Sequence, residues 1–178
     1  FIKMCTRVSH SQSIVELGDR VELSKPYEKN PQKYIMMPGN AKRRHPVVEE
    51  RTRKLVEYAD TSDINRVEMG GTKLGIITSS TSYQYVKEVF GESVSVLKLG
   101  MVNPLPEKLI LDFAAKVEKL AVVEELDPII ENHCRALGLA VTGKDVLPMI
   151  DEFSQNLIAG KLGGEVHTGT ALGEAVPP

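Results

Sequence analysis

A chain of 178 residues has room for one α/β domain and an extension, and a domain of that size buries roughly two-thirds of its unfolded surface without disulfide staples. Its 22 Lys and Arg against 24 Asp and Glu leave a net charge of -2, which argues against the basic excess that nucleic-acid binding requires. Two isolated cysteines, Cys5 and Cys134, without CxxC spacing read as free thiols of a reducing compartment, and no apolar run approaches the ~18–20 residues that span a bilayer. The expectation is a soluble, cytoplasmic protein with no nucleic-acid or membrane partner.

Taken in chain order, residues 1–23 read as a strand with an irregular return. The β-like opening Phe1-Ile2-Lys3-Met4 and the terminal Pro177-Pro178 suggest a piece of something longer. Residues 24–46 carry Pro26, Pro31, Pro38, Gly39 and Pro46 among basic residues and read as a linker. From Pro46 to Ala59 the spacing of Val47, Val48, Arg51, Leu55 and Tyr58 predicts an amphipathic helix, so that residues 24–65 form a linker and helix. Its apolar side, left unpacked, would favour a homodimer.

Beyond Arg66 the pattern changes. A short edge strand at Arg66–Met69 precedes three β-branched runs, Leu74–Thr78, Val94–Leu99 and Leu120–Val123, whose unbroken hydrophobicity predicts strands buried on both faces. Helices are expected between and after them: Tyr83–Phe90 closed by Gly91, Glu107–Val117 opened by Pro106, and one from Asp127-Pro128 through Leu137, closed by Gly138. Leu139–Thr142 suggests a further strand, and Ser154 a cap for a last helix ending near Lys161. This alternation over residues 66–162 predicts an α/β fold with a doubly wound, mostly parallel sheet, followed by a connector tail at 163–178.

Three constellations could carry chemistry. Thr78 to Ser82 forms a hydroxyl-rich turn where a strand runs into a helix. Hydroxyls and N–H groups there can bind an anion, although neither GxGxxG nor GxxxxGK[ST] is present. Thr81 and Gln84 have capping-box spacing, the stronger reading. Glu124, Glu125 and Asp127 follow the third long strand, at an edge where α/β proteins hold ligands, with Asp127 read first as a helix cap. Lys42-Arg43-Arg44-His45 is a basic run. The candidate anion or interface residues are Ser80, Thr81, Ser82, Arg7, Arg43 and Arg44; no catalytic or metal-ligating residue is assigned, since His10, His45, His133 and His167 lack metal spacing. His133 reads as a satisfied core or boundary histidine.

The segments TRVSHSQSIVELGDR (Thr6–Arg20), YIMMPGNAKRRHPVVEER (Tyr34–Arg51), NRVEMGGTKLGIITSSTSYQYV (Asn65–Val86), LKLGMVNPLP (Leu97–Pro106) and KLAVVEELDPIIENHCRALG (Lys119–Gly138) together resemble the middle of the alpha subunit in the indolepyruvate:ferredoxin oxidoreductase family, among the thiamine-diphosphate-dependent 2-oxoacid:ferredoxin oxidoreductases. The resemblance implies that residues 1–23 are the exit of a pyrimidine-binding domain and that 66–162 is a domain like the C-terminal domain of transketolase. It also implies a parent that oxidatively decarboxylates aryl pyruvates to acyl-CoA while reducing ferredoxin. The parent would use thiamine diphosphate, Mg²⁺ and 4Fe-4S clusters, with the neighbouring thiamine domains, a beta subunit and ferredoxin as partners.

The fingerprints of those cofactors are missing from this segment. Gly18-Asp19 is followed by Arg20 and not by Gly, and two lone cysteines make no CxxCxxC run. The expectation is a non-catalytic structural and interface domain with no cofactor of its own. The alternative is a small-ligand or anion-binding α/β module using the turn after the first long strand.

Overall fold

The computed structural model describes residues 6–165 together with Ile2 and Met4. The side chain of Arg7 and the positions of Cys5, His167 and most of the expected 163–178 tail lie outside the described residues. The chain divides into two units, Phe1–Lys54 and Leu55–Pro178.

In the first unit no described residue is buried. The strand expected within residues 1–23 is a short helix instead, α1 (Thr6–His10); among the described residues no strand pairs with this segment to take up extended backbone groups. The expected linker holds a second short helix, α2 (Pro31–Tyr34), whose N-cap Asn30 accepts from the Lys33 N–H. The amphipathic helix starts eight residues earlier than expected. It runs as α3 (Pro38–Thr61), with Pro46 inside it and not at its first turn. Pro46 removes one intrahelical donor, which a helix of 24 residues survives because its remaining turns stay bonded. Of the apolar positions expected on its face, Val47 is exposed while Val48 and Leu55 are half-buried.

The second unit carries the fold. Strands β1 (Arg66–Glu68), β2 (Gly75–Ser79), β3 (Ser95–Leu99) and β4 (Leu120–Val123) form one sheet in the order β1-β3-β2-β4. β2 lies between β3 and β4 and is parallel to both, and β1 closes one edge antiparallel to β3. Successive side chains of a strand point to opposite faces, so a strand covered on both sides buries every residue. One face packs Ile76, Val96, Ala121 and Val123 under α4 (Ser82–Phe90) and α7 (Gln155–Leu162). The other packs Ile77, Leu97 and Val122 under α5 (Glu107–Ala114) and α6 (Ile129–Ala136). Helices on both faces of a mostly parallel sheet make the doubly wound fold that the sequence predicts.

Local chemistry sets most of the boundaries. Gly91 and Gly163 close α4 and α7 at positive φ, as does Gly138 just after α6. Ser154 accepts from the Leu157 N–H and starts α7, as expected. Gly75 opens β2 where a Cβ would come within 2.7 Å of the Val117 side chain and 3.1 Å of Phe113, so α5 can press on the sheet only at a glycine. Leu139–Thr142 does not become a full strand; it reaches the sheet through a single parallel bridge from Thr142 to Ala121.

Candidate functional site

In an open α/β sheet, ligands sit at the carboxyl ends of the strands where neighbouring connections leave toward opposite faces. Here that point lies between β2, whose chain continues into α4, and β4, whose chain continues into α6 on the other face. The pairing of β2 with β4 brings the Ser79–Ser82 turn and the Glu124–Asp127 turn side by side.

The groups at this edge are committed to one another. Thr78 Oγ1 donates to the Val123 carbonyl at 2.8 Å. Glu124 is buried, and its two carboxylate oxygens accept from the N–H groups of Ile130 (2.9 Å) and Glu131 (2.8 Å), capping α6 from five residues upstream of the helix. Asp127, the cap expected from sequence, makes no such bond, and Pro128 occupies the N-cap position. Burial pushes the Glu124 carboxyl above its ordinary range, an effect that the two N–H bonds and the nearby Lys144 ammonium only partly oppose.

Lys144 Nζ donates to the carbonyls of Glu124 (2.5 Å) and Pro148 (3.0 Å) and lies 4.8 Å from the centre of the Phe153 ring. Burial pulls the Lys144 ammonium below its usual range, against the pull of Glu124 and Glu131. Glu131, also buried, accepts from the Lys144 backbone N–H (2.8 Å) and from the Arg135 guanidinium (2.6 Å). Gly143 is required beside it, since a Cβ there would overlap the Glu131 carboxylate. Glu125 accepts from the Phe153 N–H at 2.8 Å. Of the acids that follow the third long strand, Glu124 and Glu125 therefore act as struts.

The hydroxyl turn is also rearranged. Ser80 takes a positive φ of 54°, and Thr81 occupies the N-cap of α4 in helical geometry with no side-chain cap bond. The capping box between Thr81 and Gln84 does not form, because a cap needs extended backbone to swing its hydroxyl over the first turn. Ser82 is buried. In the first unit, Arg43 and Arg44 lie on α3, where exposed Arg43 donates to Asn40 Oδ1 at 2.6 Å, and Arg7 falls within α1.

Two features escape sequence reading. His133 is half-buried, a boundary position as expected, but its Nε2 is enclosed and has no hydrogen-bond partner, so the expectation of a satisfied histidine is corrected. A polar cluster also forms where β1 meets α4. The Tyr83 hydroxyl donates to Glu68 Oε1 at 2.8 Å, Lys87 pairs with Glu68 Oε2 at 3.1 Å, and Lys98 Nζ lies 4.8 Å from the Tyr83 ring centre. Burial works to raise the Glu68 carboxyl, but the bonds from Tyr83 and Lys87 and the charges of Lys87 and Arg66 outweigh it and hold the group below its ordinary range. Conversely, the bond to Glu68, reinforced by burial, raises the Tyr83 phenol. The alternation of Arg66, Val67 and Glu68 is the only sequence signal of this cluster, and it says nothing of Tyr83 or Lys98.

Among the described residues no three His, Cys, Asp or Glu side chains converge as a metal site would need. Cys134 is buried in the core, and desolvation pushes its thiol up to about 12, which leaves it protonated and unsuited to cluster ligation. Asp19 of the Gly18-Asp19-Arg20 run stands exposed. Among the described residues the donor set does not fit a magnesium–pyrophosphate or iron–sulfur group.

No protein-family model matches the chain. It is 36% identical to the indolepyruvate oxidoreductase subunit IorA of Archaeoglobus fulgidus over 99% of its own length, 35% identical to that of Methanothermobacter marburgensis over 92%, and 32% identical to that of Thermococcus kodakarensis over 86%. The chain spans 29%, 29% and 26% of these relatives, respectively. Its fold is similar to part of a 2-oxoglutarate:ferredoxin oxidoreductase from Magnetococcus marinus, with a TM-score of 0.53 and 19% identity over 72% of this chain and 23% of that one.

Two outcomes follow from the capping pattern and the Glu68 cluster. Glu124→Gln puts an amide N–H₂ against one of two buried N–H groups and is expected to cost about 1–3 kcal/mol in urea unfolding, whereas Thr81→Ala, which breaks no cap bond, should stay within about 0.5 kcal/mol. Because the Glu68 carboxyl is held low, its contribution is present above the ordinary carboxylate range and lost as pH falls through its depressed value. The advantage of the wild type over Glu68→Gln at neutral pH should therefore shrink on acidification below about pH 4, followed by thermal unfolding across pH.

Proposed function

The chain is homologous, over most of its length, to one part of the indolepyruvate oxidoreductase IorA subunits, and from that relationship we propose that it is a non-catalytic structural and interface domain of such an enzyme. The observation that carries this reading is the internal saturation of the sheet's carboxyl edge. Glu124 is spent on α6, Glu131 on Lys144 and Arg135, and Lys144 on two carbonyls, so the groups best placed for acid–base work already hold the fold together.

The first unit supports the interface half of the proposal. Ile14, Leu17, Val21, Leu23, Ile35 and Met37 are all more than half exposed in a unit where no described residue is buried, and apolar surface on that scale is normally covered by a partner. In this reading residues 1–23 leave a preceding thiamine domain, 24–65 link it onward, and 66–162 is the transketolase-C-terminal-like domain. The whole protein, with a beta subunit, would oxidatively decarboxylate aryl pyruvates to acyl-CoA and reduce ferredoxin in the cytoplasm. Thiamine diphosphate, Mg²⁺ and 4Fe-4S clusters would be held by neighbouring domains.

Calorimetric titration of the 178-residue chain with thiamine diphosphate and Mg²⁺ tests the proposal. No saturable heat is expected, and binding in the micromolar range would overturn it.

A further inference from the structure

We propose that the sheet face at Arg66 and Lys98 is a binding site for a phosphate-class dianion, either inorganic phosphate or the phosphoryl group of a monoester. The antiparallel register of β1 and β3 sets Arg66 directly opposite Lys98. Side chains so paired share a face with Cβ atoms about 4.5–5.5 Å apart, and like charges there repel. A sheet edge that places two cations in this relation is destabilised unless something negative lies between them.

The protein supplies too little. Glu68 is the carboxylate of the cluster, and its oxygens are taken by the Tyr83 hydroxyl at 2.8 Å and by Lys87 at 3.1 Å. Arg66 reaches Glu68 only at 3.8 Å, and Lys98 has no carboxylate within ion-pair distance among the described residues. Arg66 and Lys87 thus share one carboxylate and Lys98 has none, leaving a surplus of two positive charges, the charge of a phosphate dianion.

The Lys98 ammonium is also preorganised. Tyr83, fixed by its bond to Glu68, holds it over its ring, and Arg66 beside it is half exposed. An oxyanion bridging them would accept from the fork in the bidentate geometry that guanidinium favours, while the ammonium acts as a point charge. Thr78, beside Lys98 in the parallel register, is not a donor here, because its hydroxyl is given to Val123. The site is separate from the saturated edge between β2 and β4, so its test and that of the structural role do not depend on each other.

Thermal unfolding of the chain, titrated at constant ionic strength with inorganic phosphate, ribose 5-phosphate or malonate, decides the matter; constant salt keeps screening from masquerading as binding. A saturable rise in Tm with phosphate or with ribose 5-phosphate is expected, and which of the two acts at lower concentration identifies the free or esterified source. Lys98→Met, which keeps the side-chain stem against Tyr83, and Arg66→Gln should each weaken the response about tenfold or more, as loss of one charge-assisted bond implies. Lys98→Arg should retain it. The proposal is overturned by no saturable response to either phosphate compound, by a response that survives in both neutral variants, or by malonate acting as well as phosphate.

Discussion

A helix packed against a fully buried sheet begins with N–H groups that have lost water, and those groups must find acceptors. This constraint organises the second unit. Pro106 and Pro128 precede α5 and α6 and offer no side-chain acceptor, so carboxylates from elsewhere take the role. Asp60, near the end of α3, accepts from the Leu109 N–H at 3.0 Å, and Glu124, just past β4, accepts from both Ile130 and Glu131. Asn65 does the same for a strand exit: its side-chain oxygen accepts from Gly100 and Met101 while its amide donates to the Ala59 carbonyl. Each bond ties a helix start or a strand exit to a different element, so capping and tertiary assembly are one event.

Such coupling explains what the sequence made legible. β2, β3 and β4 were readable because a strand buried on both faces must be apolar throughout, and Ile76-Ile77, Val96-Leu97 and Ala121-Val122-Val123 leave no other arrangement for their surfaces. Glycine ends were readable because Gly91 and Gly163 answer a purely local need for positive φ. The caps of α5 and α6 were not, because their acceptors lie upstream of any local window. Reading Asp127 with Pro128 applies a local rule where the fold uses Glu124. The cap of Ser154 is local, and there the sequence signal and the structure agree.

The candidate site divides along the same line. That the Ser79–Ser82 and Glu124–Asp127 turns follow the carboxyl ends of strands is legible in the sequence; that they meet depends on β2 pairing with β4, which the sequence leaves open. What fills the place where they meet is not legible either. Lys144 reaches Glu124 from twenty residues away, and Glu131 can receive the Lys144 backbone only because Gly143 leaves room. In the first unit the error had another origin. Pro46 looks like a helix start by its own preference, but α3 begins at Pro38 and carries Pro46 within it.

The contrast between the two edges of the sheet bears on function. At β4 Glu124, Glu125 and Glu131 each have a donor from their own fold, and the residual cost of burying Glu124 and Lys144 is the electrostatic sign of a structural network, since both groups are shifted toward their neutral forms. At β1 the balance runs the other way: against burial, the hydrogen bonds from Tyr83 and Lys87 and the charges of Lys87 and Arg66 hold Glu68 toward its charged form. A buried network that favours neutrality has no appetite for a further ion, whereas a partly exposed cluster that already stabilises one negative charge has capacity for more. The antiparallel edge strand, which adds little to the core, is therefore the part of this domain whose charges are free to face something outside it.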